Sequence, residues 1–402
     1  MKKIIFAIYC LSIVSLTIAQ TEKADAEYQS ILKEYTLHQD GSIDFHYSKQ
    51  LKLLSHYAFH RLYGETFIIT NTDFQTLKIN EAYTIMADGK KVVTPDNAFN
   101  EVLPRFANNA PAYNHIRELV VTHTGLEVGA VIHLDYTIHS EKGYFPALMF
   151  DEVLIESSPV QELVVKVNLP ASKKLNYKLL NTSGEPSIST ENGQQVYTWT
   201  FNNLPASSKE DHQVSGHLDA PRLVFSSAED LNSVYHTFVS QDAFQLETST
   251  QMNALVEEVI SENPDQLSAA LAFQKIVSNN LSNLNIPLEY TAFICRSPIE
   301  TWNSNQGTEP EKVLLLSALL QKANITATPV TIIPKPLFDK KIGDLLSFQK
   351  FAVMLDLEND DNVLLSANQT DDQNLLFSMA GQSLLKLDPN LKSPALFSIE
   401  KE

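Results

Sequence analysis

Few residues in the second half of the sequence could act as a nucleophile or a general base. Cys295 is the only cysteine beyond residue 10, so it is the only thiol there that could carry covalent catalysis. All eleven histidines lie between His38 and His236, which excludes a Cys–His pair within the part of the chain that holds Cys295. The thiol follows an apolar stretch, AFI, and free cysteines are among the most buried residues. We therefore expect Cys295 to pack in a core.

Glu309 is a second candidate for chemistry, because a pair of carboxylates can hydrolyse a glycosidic bond. Its partner would be Glu311 or Glu300. The residues T-E-P-E at 308–311 are typical of a capping box, in which Glu311 reaches back to the first amide of a helix. This local role accounts for Glu311, and nothing marks a second partner, so carboxylate-based hydrolysis is not favoured.

The histidines offer two arrangements that could hold a metal ion. His56 and His60 are four residues apart, whereas His133, Asp135 and His139 alternate along one predicted strand. Neither set has third and fourth ligands at the spacings of a metal site. We therefore predict solvated strand faces, and no metal or other cofactor.

The elements that must position these residues change in type along the chain. From about residue 35 to 225 the sequence reads as consecutive strands with turn signals, such as the hairpin signal at Asp88-Gly89. The stretch VIHLDYTIHS alternates strictly between apolar and polar residues. Helical periodicity is missing here, which predicts an antiparallel β-sandwich with one solvated face per sheet.

Helical patterns follow in TQMNALVEEVIS and QLSAALAFQKIVSNNLSNL. A short strand at LEYTAFI, a polar loop at RSPIETWNSNQG, a helix from Glu309 and three strands, ATPVTII, FAVMLDL and NVLLSAN, complete the chain. Helices followed by an antiparallel sheet make an α+β domain. We predict a signal peptide at residues 1–19, a β-sandwich domain at 20–225 and the α+β domain at 240–402, with a linker near 218–245.

The helix that begins at Glu309 should be central. Pro310 is tolerated in its first turn, where the amides have no intrahelical partner. Its residues are apolar almost all round, in the sequence VLLLSALLQKA, which is typical of a buried helix. Asn324 can cap its end, and the strand ATPVTII follows.

This order of elements resembles a known family. A loop that ends in glycine, the buried helix EKVLLLSALLQKANITATPV and the strand after it resemble the transglutaminase-like core, a papain-related fold with a Cys, His and Asp triad. The all-β half resembles the domain of unknown function 3857, most clearly in HTGLEVGAVIHLDYTIHS. Together the two resemblances cover roughly residues 60–390.

In active members of that family the helix opens with Gly-Asp-Cys, where the helix dipole stabilises a thiolate. Gly307-Thr308-Glu309 stands in that place, and a carboxylate so stabilised would be a poor general base. The resemblance places Lys350 at the position of the histidine and Ser366 at that of the aspartate. It therefore implies a degenerate triad, in which Glu309 and Lys350 could form an ion pair.

The amino terminus, MKKIIFAIYCLSIVSLTIAQ, has the basic, apolar and small-residue regions of a signal peptide, which predicts a periplasmic or secreted protein without a membrane span. A formal net charge of −18 disfavours nucleic acid as a partner. We therefore predict an inactive transglutaminase-like protein that binds a peptide, a protein segment or a glycan outside the cytoplasm.

Trp302, Glu309 and Lys350 are the predicted binding residues, with Trp302 either a stacking platform or a half-buried packing residue. The alternatives are a cysteine-dependent hydrolase or acyl transferase with a rearranged site, and a structural protein of the cell envelope. A structural protein would show a flat apolar patch instead of a lined cleft.

Overall fold

The structure is a computed structural model, which describes residues 24–207, 218–357, 362–370, 375, 379 and 381–398. The predicted signal peptide at residues 1–19 lies outside the described residues. None of the described helices is long and apolar enough to cross a membrane.

The amino-terminal half is built almost entirely of strands. Its elements are β1 (Ala26–Leu37), β2 (Ile43–Leu53), α1 (Arg61–Gly64), β3 (Glu65–Asn71), β4 (Gln75–Ile85), β5 (Lys91–Val93), β6 (Phe99–Val102), β7 (Ile116–Thr122), β8 (Val131–Ser140), β9 (Met149–Val153), β10 (Val160–Pro170), β11 (Asn176–Leu180), β12 (Ser187–Glu191), β13 (Gln194–Leu204) and β14 (Arg222–Ser226). The strand predicted at VIHLDYTIHS is β8, and the predicted hairpin at Asp88-Gly89 joins β4 to β5.

One large sheet organises this half. Over the described residues, eight strands pair in the order β12–β13–β10–β1–β2–β8–β4–β5. The predicted purely antiparallel arrangement is wrong at one place, because β1 and β10 run parallel, with Tyr35 opposite Val167. A parallel pair needs a long crossover connection, and the intervening strands β2 to β9 provide it.

Two smaller sheets cover the inner face of the large one. They have the orders β3–β7–β6 and β11–β14–β9. Ile68 of β3 and Val121 of β7 pack on Leu134 of β8, while Phe225 of β14 packs against the neighbouring part of the large sheet. The strict alternation of β8 follows from this layering, since only one of its faces meets the core.

The segment predicted as a linker, residues 218–245, is part of the folded structure. It contains β14 and the helix α2 (Leu231–Val239), which Asp230 caps by accepting from the Ser233 amide. Val234, Tyr235 and Phe238 are buried in the core of the carboxy-terminal half. Their helical spacing was a signal that the linker prediction missed.

The carboxy-terminal half contains longer helices and a second large sheet. Its elements after α2 are α3 (Thr250–Glu262), α4 (Gln266–Asn280), β15 (Ser282–Leu284), α5 (Pro298–Ser304), β16 (Gln306–Thr308), α6 (Glu309–Lys322), β17 (Ala327–Pro334), β18 (Lys350–Asp356), β19 (Asn362–Leu365), β20 (Gln382–Lys386) and β21 (Leu396–Ser398). In the part that the structure describes, an antiparallel sheet has the order β19–β18–β17–β20–β21. The α+β prediction for this half is therefore confirmed.

Helix α6 is central, as its apolar sequence predicts. Leu315, Leu316 and Leu319 are fully buried among α3, α4 and the inner face of the sheet. Two local predictions nearby are wrong. The strand expected at LEYTAFI is instead a 3-10 turn at Leu288–Thr291, followed by Ala292 and Phe293 with positive φ angles of 56° each. The expected polar loop contains α5.

Candidate functional site

The amino terminus of α6 carries two carboxylates that point in different directions. Glu311 forms the capping box, in which its Oε2 accepts from the Thr308 amide at 2.8 Å. Glu309 stands two residues earlier in the first turn. Side chains two positions apart do not share a helix face, so the two carboxylates have separate partners.

Glu311 is the centre of a buried ion pair. Its side chain is 0% exposed, and it accepts from Arg296 Nε at 2.9 Å and from Nη2 at 2.8 Å. The Arg296 amide also donates to Glu311, at 3.0 Å. Tyr113, which belongs to the β-rich half, donates its hydroxyl hydrogen bond to the same carboxylate. This carboxylate therefore joins the two halves of the protein.

Glu309 faces the start of β18. Its Oε2 accepts from the Phe351 amide at 3.1 Å, and its Oε1 accepts weakly from Asn368 Nδ2 at 3.5 Å. Burial raises the pKa of Glu309 to about 7, although the Phe351 amide, Lys350 and Lys312 each act to lower it. The expectation of a strongly stabilised carboxylate is therefore wrong, because desolvation outweighs the helix terminus. A pKa near 7 is within the range of a general base at neutral pH.

Lys350 and Ser366 lie close to Glu309 in the fold, but neither pairs with its carboxylate. Lys350 is exposed at the first position of β18, and within the described residues it forms no ion pair with Glu309 inside 4.0 Å. The hypothetical Glu309–Lys350 ion pair is thus wrong, since backbone and amide donors occupy the carboxylate. Ser366 is buried, and its hydroxyl accepts from the Asn368 amide at 3.1 Å. It shapes the turn that brings Asn368 to Glu309.

Lys312 is a buried neighbour that the sequence reasoning missed. Its side chain is 0% exposed, and Nζ donates to the carbonyl of Leu281 at 3.1 Å and to Asn283 Oδ1. Burial lowers the pKa of Lys312 to about 8, while Glu309 acts to raise it. A lysine within an apolar helical stretch was the available signal, because lysines are rarely fully buried unless they are paired.

Cys295 and Trp302 lie in packing environments. The Cys295 side chain is only 6% exposed and belongs to the large core cluster of the carboxy-terminal half. Burial, reinforced by the charge of Glu311, raises the pKa of the Cys295 thiol well above its usual range. Trp302 on α5 is partly buried against the same core. A protonated, buried thiol is a poor nucleophile.

The two histidine sets, for which the sequence favours solvated strand faces, are not brought together as sets. His56 and His60 are exposed, and His133 stacks on Tyr83 with ring centroids 4.5 Å apart. Asp135 instead pairs with His46, at 2.9 Å.

A different group meets on the solvated face of the large sheet. Asp44 contacts His139 Nδ1 at 2.6 Å and His38 Nε2 at 2.8 Å. Among the described residues, these three could offer one ligand atom each to a metal ion. The sequence did not reveal the group because the β2–β8 register, which places Asp44 opposite His139, joins distant segments.

Two concave spaces lie where the halves of the protein meet. A groove of about 1,140 Å³, the junction groove, is lined from the β-rich half by residues such as Lys142 and Phe145 and from the other half by Thr237, Phe238 and Phe293. A cavity of about 350 Å³, the aromatic cavity, lies beside it. Neither space is lined by the predicted binding residues, so these predictions stay untested.

Comparisons with known proteins agree with this architecture. Residues 39–208 match the family model of DUF3857, a domain of unknown function with a solved structure, which confirms the resemblance of the all-β half. A crystal structure of a "putative protease" from Parabacteroides distasonis ATCC 8503 superposes with a TM-score of 0.85 and 34% sequence identity. The match covers 94% of this chain and 72% of that chain.

Other matches are much poorer. M1 zinc metallopeptidases from Deinococcus radiodurans are 11% to 12% identical over 52% of this chain and 44% to 45% of theirs, with TM-scores of 0.28. Overlap this poor carries no information about the fold or a zinc site. No curated protein matches the chain. On its similarity to the Parabacteroides distasonis protein, the chain belongs to the same family as that protein, with a DUF3857 domain at residues 39–208.

Proposed function

We propose that this chain is an exported, non-catalytic protein with a transglutaminase-like carboxy-terminal domain, and that it binds an extended peptide segment in the junction groove. The observation that carries the non-catalytic part is Glu309. A carboxylate stands at the amino terminus of α6, where the resemblance to transglutaminase-like cores puts the thiol nucleophile, and the Phe351 amide and Asn368 hold it.

The arrangement around Glu309 supports the transglutaminase-like assignment. The start of the buried helix α6, the start of β18 and the turn after β19 meet there, which is the order in which the family presents its cysteine, histidine and aspartate. In this chain those segments supply Glu309, Lys350 and Ser366. None of the eleven histidines of the chain lies beyond His236, so these segments lack the histidine of the family as well as its cysteine.

A cysteine-dependent enzyme is the alternative, and the Parabacteroides distasonis relative is described as a "putative protease". Such an enzyme would need Cys295, the only cysteine beyond residue 10. The burial of Cys295 and the raised pKa of its thiol weigh against this reading. Glu309 alone, although its pKa suits a base, brings no nucleophile with it.

The junction groove is the binding site that the geometry favours. Its volume is slightly above the usual range for small-molecule sites, as suits a longer ligand, and such sites are common where two domains meet. Phe145, Phe238 and Phe293 supply apolar walls, while Lys142 and Glu229 supply charges of both signs. A peptide presents apolar and charged side chains in alternation along its length, so it fits this lining better than a uniformly polar glycan does.

A groove-filling variant tests the proposal. Thr237 is exposed and lines the groove, so Thr237→Trp should obstruct it without disturbing the core. Thr190→Trp is the matched control, because Thr190 is exposed on β12 and is not part of the groove lining. The mature protein would first select ligands from a displayed library of random extended peptides, and titration calorimetry would then compare the three proteins.

We expect Thr237→Trp to weaken binding of the selected peptides by about tenfold or more, and Thr190→Trp to leave it unchanged. If no peptide is enriched, or if the two variants bind equally well, the peptide-groove assignment is wrong. A glycan array would then be screened with the same pair of variants.

Amino-terminal sequencing of protein exported to the periplasm tests the signal peptide, with cleavage expected near Gln20.

A further inference from the structure

The aromatic cavity has a chemical character of its own. It lies between the two halves, where β3, β8 and β9 meet the 3-10 turn that contains Glu289 and Tyr290. We propose that the aromatic cavity binds a small primary alkylammonium ion. This site is separate from Glu309 and goes beyond the proposed function, which does not depend on it.

The walls of the cavity suit an organic cation. Rings from both halves line it, including Phe67, Tyr136, Tyr144, Phe150 and Tyr290. The face of an aromatic ring attracts a cation, and a cation removed from water gains more from this contact than an exposed one. The volume of about 350 Å³ is near the lower limit for small-molecule sites, so a ligand of a few heavy atoms fits it.

Two carboxylates in the lining supply the negative charge. Asp151 is buried, with 8% of its side chain exposed, and its Oδ2 pairs with Arg222 at 2.5 Å. Its Oδ1 is buried and has no hydrogen-bond partner. Glu289 is the second carboxylate, and none of the described lining residues is a lysine or an arginine. The lining therefore contains more negative than positive charge.

Burial raises the pKa of both acids. It raises the pKa of Asp151 despite the opposing effect of Arg222, and it raises the pKa of Glu289. A buried carboxylate without full compensation is costly to ionise. A bound cation would remove part of that cost, and this gain is available only while the ligand is in the cavity.

The carboxylates of the lining narrow the class of cation. A buried carboxylate favours a ligand that donates hydrogen bonds, and a quaternary ammonium has no N–H to offer. A primary ammonium has three donors, so it can donate to the carboxylates of the lining while its alkyl chain packs on the rings. A guanidinium also donates, but Arg222 already presents that group to Asp151.

The experiment compares three probes of similar size by titration calorimetry: pentylammonium, the uncharged 1-pentanol, and tetramethylammonium, which is a cation without N–H groups. The full mature protein is used, together with two variants. Glu289→Gln removes one negative charge from the cavity with little change of shape. Glu162→Gln is the matched control, because Glu162 is exposed on β10. Asp151→Asn is avoided, because it would also remove the charge that pairs with Arg222 Nη1.

We expect pentylammonium to bind at least about tenfold more tightly than either of the other probes. Glu289→Gln should lower the affinity for pentylammonium by a similar factor, and Glu162→Gln should leave it unchanged. The proposal is overturned if pentylammonium does not bind, or if 1-pentanol binds as well, which would indicate an apolar cavity only. Equal binding by tetramethylammonium would also overturn it, because the rings alone would then select the ligand. Equal loss in both glutamate variants would place the site elsewhere.

Discussion

Replacing Glu309 by glutamine should stabilise the protein at neutral and alkaline pH. The pKa of Glu309 is raised from 4.5 to about 7 because burial disfavours its charged form. The folded protein therefore holds this proton over a pH range in which the unfolded chain releases it. Glutamine has nearly the same shape, stays uncharged, and can still accept from the Phe351 amide.

The size of the effect follows from the two pKa values. A shift of one pKa unit corresponds to about 1.4 kcal/mol. The shift of the Glu309 pKa from 4.5 in the unfolded chain to about 7 in the folded protein therefore corresponds to about 3 kcal/mol of unfolding free energy. The Glu309 side chain is only partly buried in the structure, and solvent screens a partly exposed charge. The favourable contact of a carboxylate with the helix terminus, about 0.5 kcal/mol, is also lost. We therefore expect a net gain of about 1 to 2 kcal/mol at pH 8.

The sign of the pH dependence is fixed by the same reasoning. Below the unfolded pKa of 4.5 the carboxyl is protonated in both states, and the full stabilising contribution of the raised pKa is present. That contribution is lost progressively as the pH rises to about 7. The advantage of Glu309→Gln should therefore be small near pH 4.5, grow up to about pH 7 and stay constant above it.

Urea denaturation, followed by circular dichroism, measures this advantage between pH 5 and pH 8. Glu258→Gln is the control, because Glu258 is exposed on α3, and it should change the unfolding free energy little at any pH. If Glu309→Gln is no more stable than the parent at pH 8, or if the difference does not change with pH, burial does not govern the charge of Glu309.

Three further predictions concern other buried groups. Cys295 should resist iodoacetamide in the folded protein and react after denaturation, as mass spectrometry would detect, whereas rapid native alkylation would revive the thiol-enzyme alternative. Glu311→Gln should lower the free energy of unfolding, measured by urea denaturation, by about 3 to 5 kcal/mol, because it leaves the Arg296 charge without its buried partner. Glu65→Gln, at an ion pair with the exposed Arg61, should lower it by less than about 1 kcal/mol. A similarly small loss in both would contradict that reasoning. Burial raises the pKa of Asp344 to about 7, so Asp344→Asn should raise the melting temperature at pH 8 more than at pH 5, and a pH-independent change would refute this.

The parts of the fold that sequence predicted well are those with a local cause. Alternation in β8 and the apolar content of α6 arise from the face or faces that each element buries, so the pattern is visible without knowledge of the partner. The helix start at Glu309 is likewise local, since Thr308 and Glu311 satisfy the free amides of one turn. The same signal was overlooked at α5, where Ser297 and Glu300 form a capping box in a stretch that was predicted to be a loop.

The parts that sequence could not supply depend on contacts between distant segments. Tyr113 and Glu311 are separated by 198 positions, and no local pattern links them. The pKa of Glu309 was misjudged for the same reason: the helix terminus is visible in sequence, whereas the desolvation caused by the surrounding sheet is not. The parallel pairing of β1 with β10 is also a property of topology, which strand patterns alone do not specify.

The contacts between the halves bear directly on how the junction groove would bind a ligand. Tyr113 donates to Glu311, and Tyr144 donates to the carbonyl of Glu289 at 2.6 Å. Asn71 of the β-rich half also donates, at 2.9 Å, to a carbonyl of the other half. These hydrogen bonds fix the β-rich half against the other one at several separated points.

A groove whose two walls are tied in this way is largely formed before the ligand arrives. Binding to a preformed site loses little free energy to reorganisation, so more of the contact energy appears as affinity. The Glu311 network thus links the amino terminus of α6 to the proposed binding role, because this helix terminus helps to hold the two walls of the groove in place. Loosening this network through Glu311→Gln should therefore weaken peptide binding, although Glu311 does not line the groove.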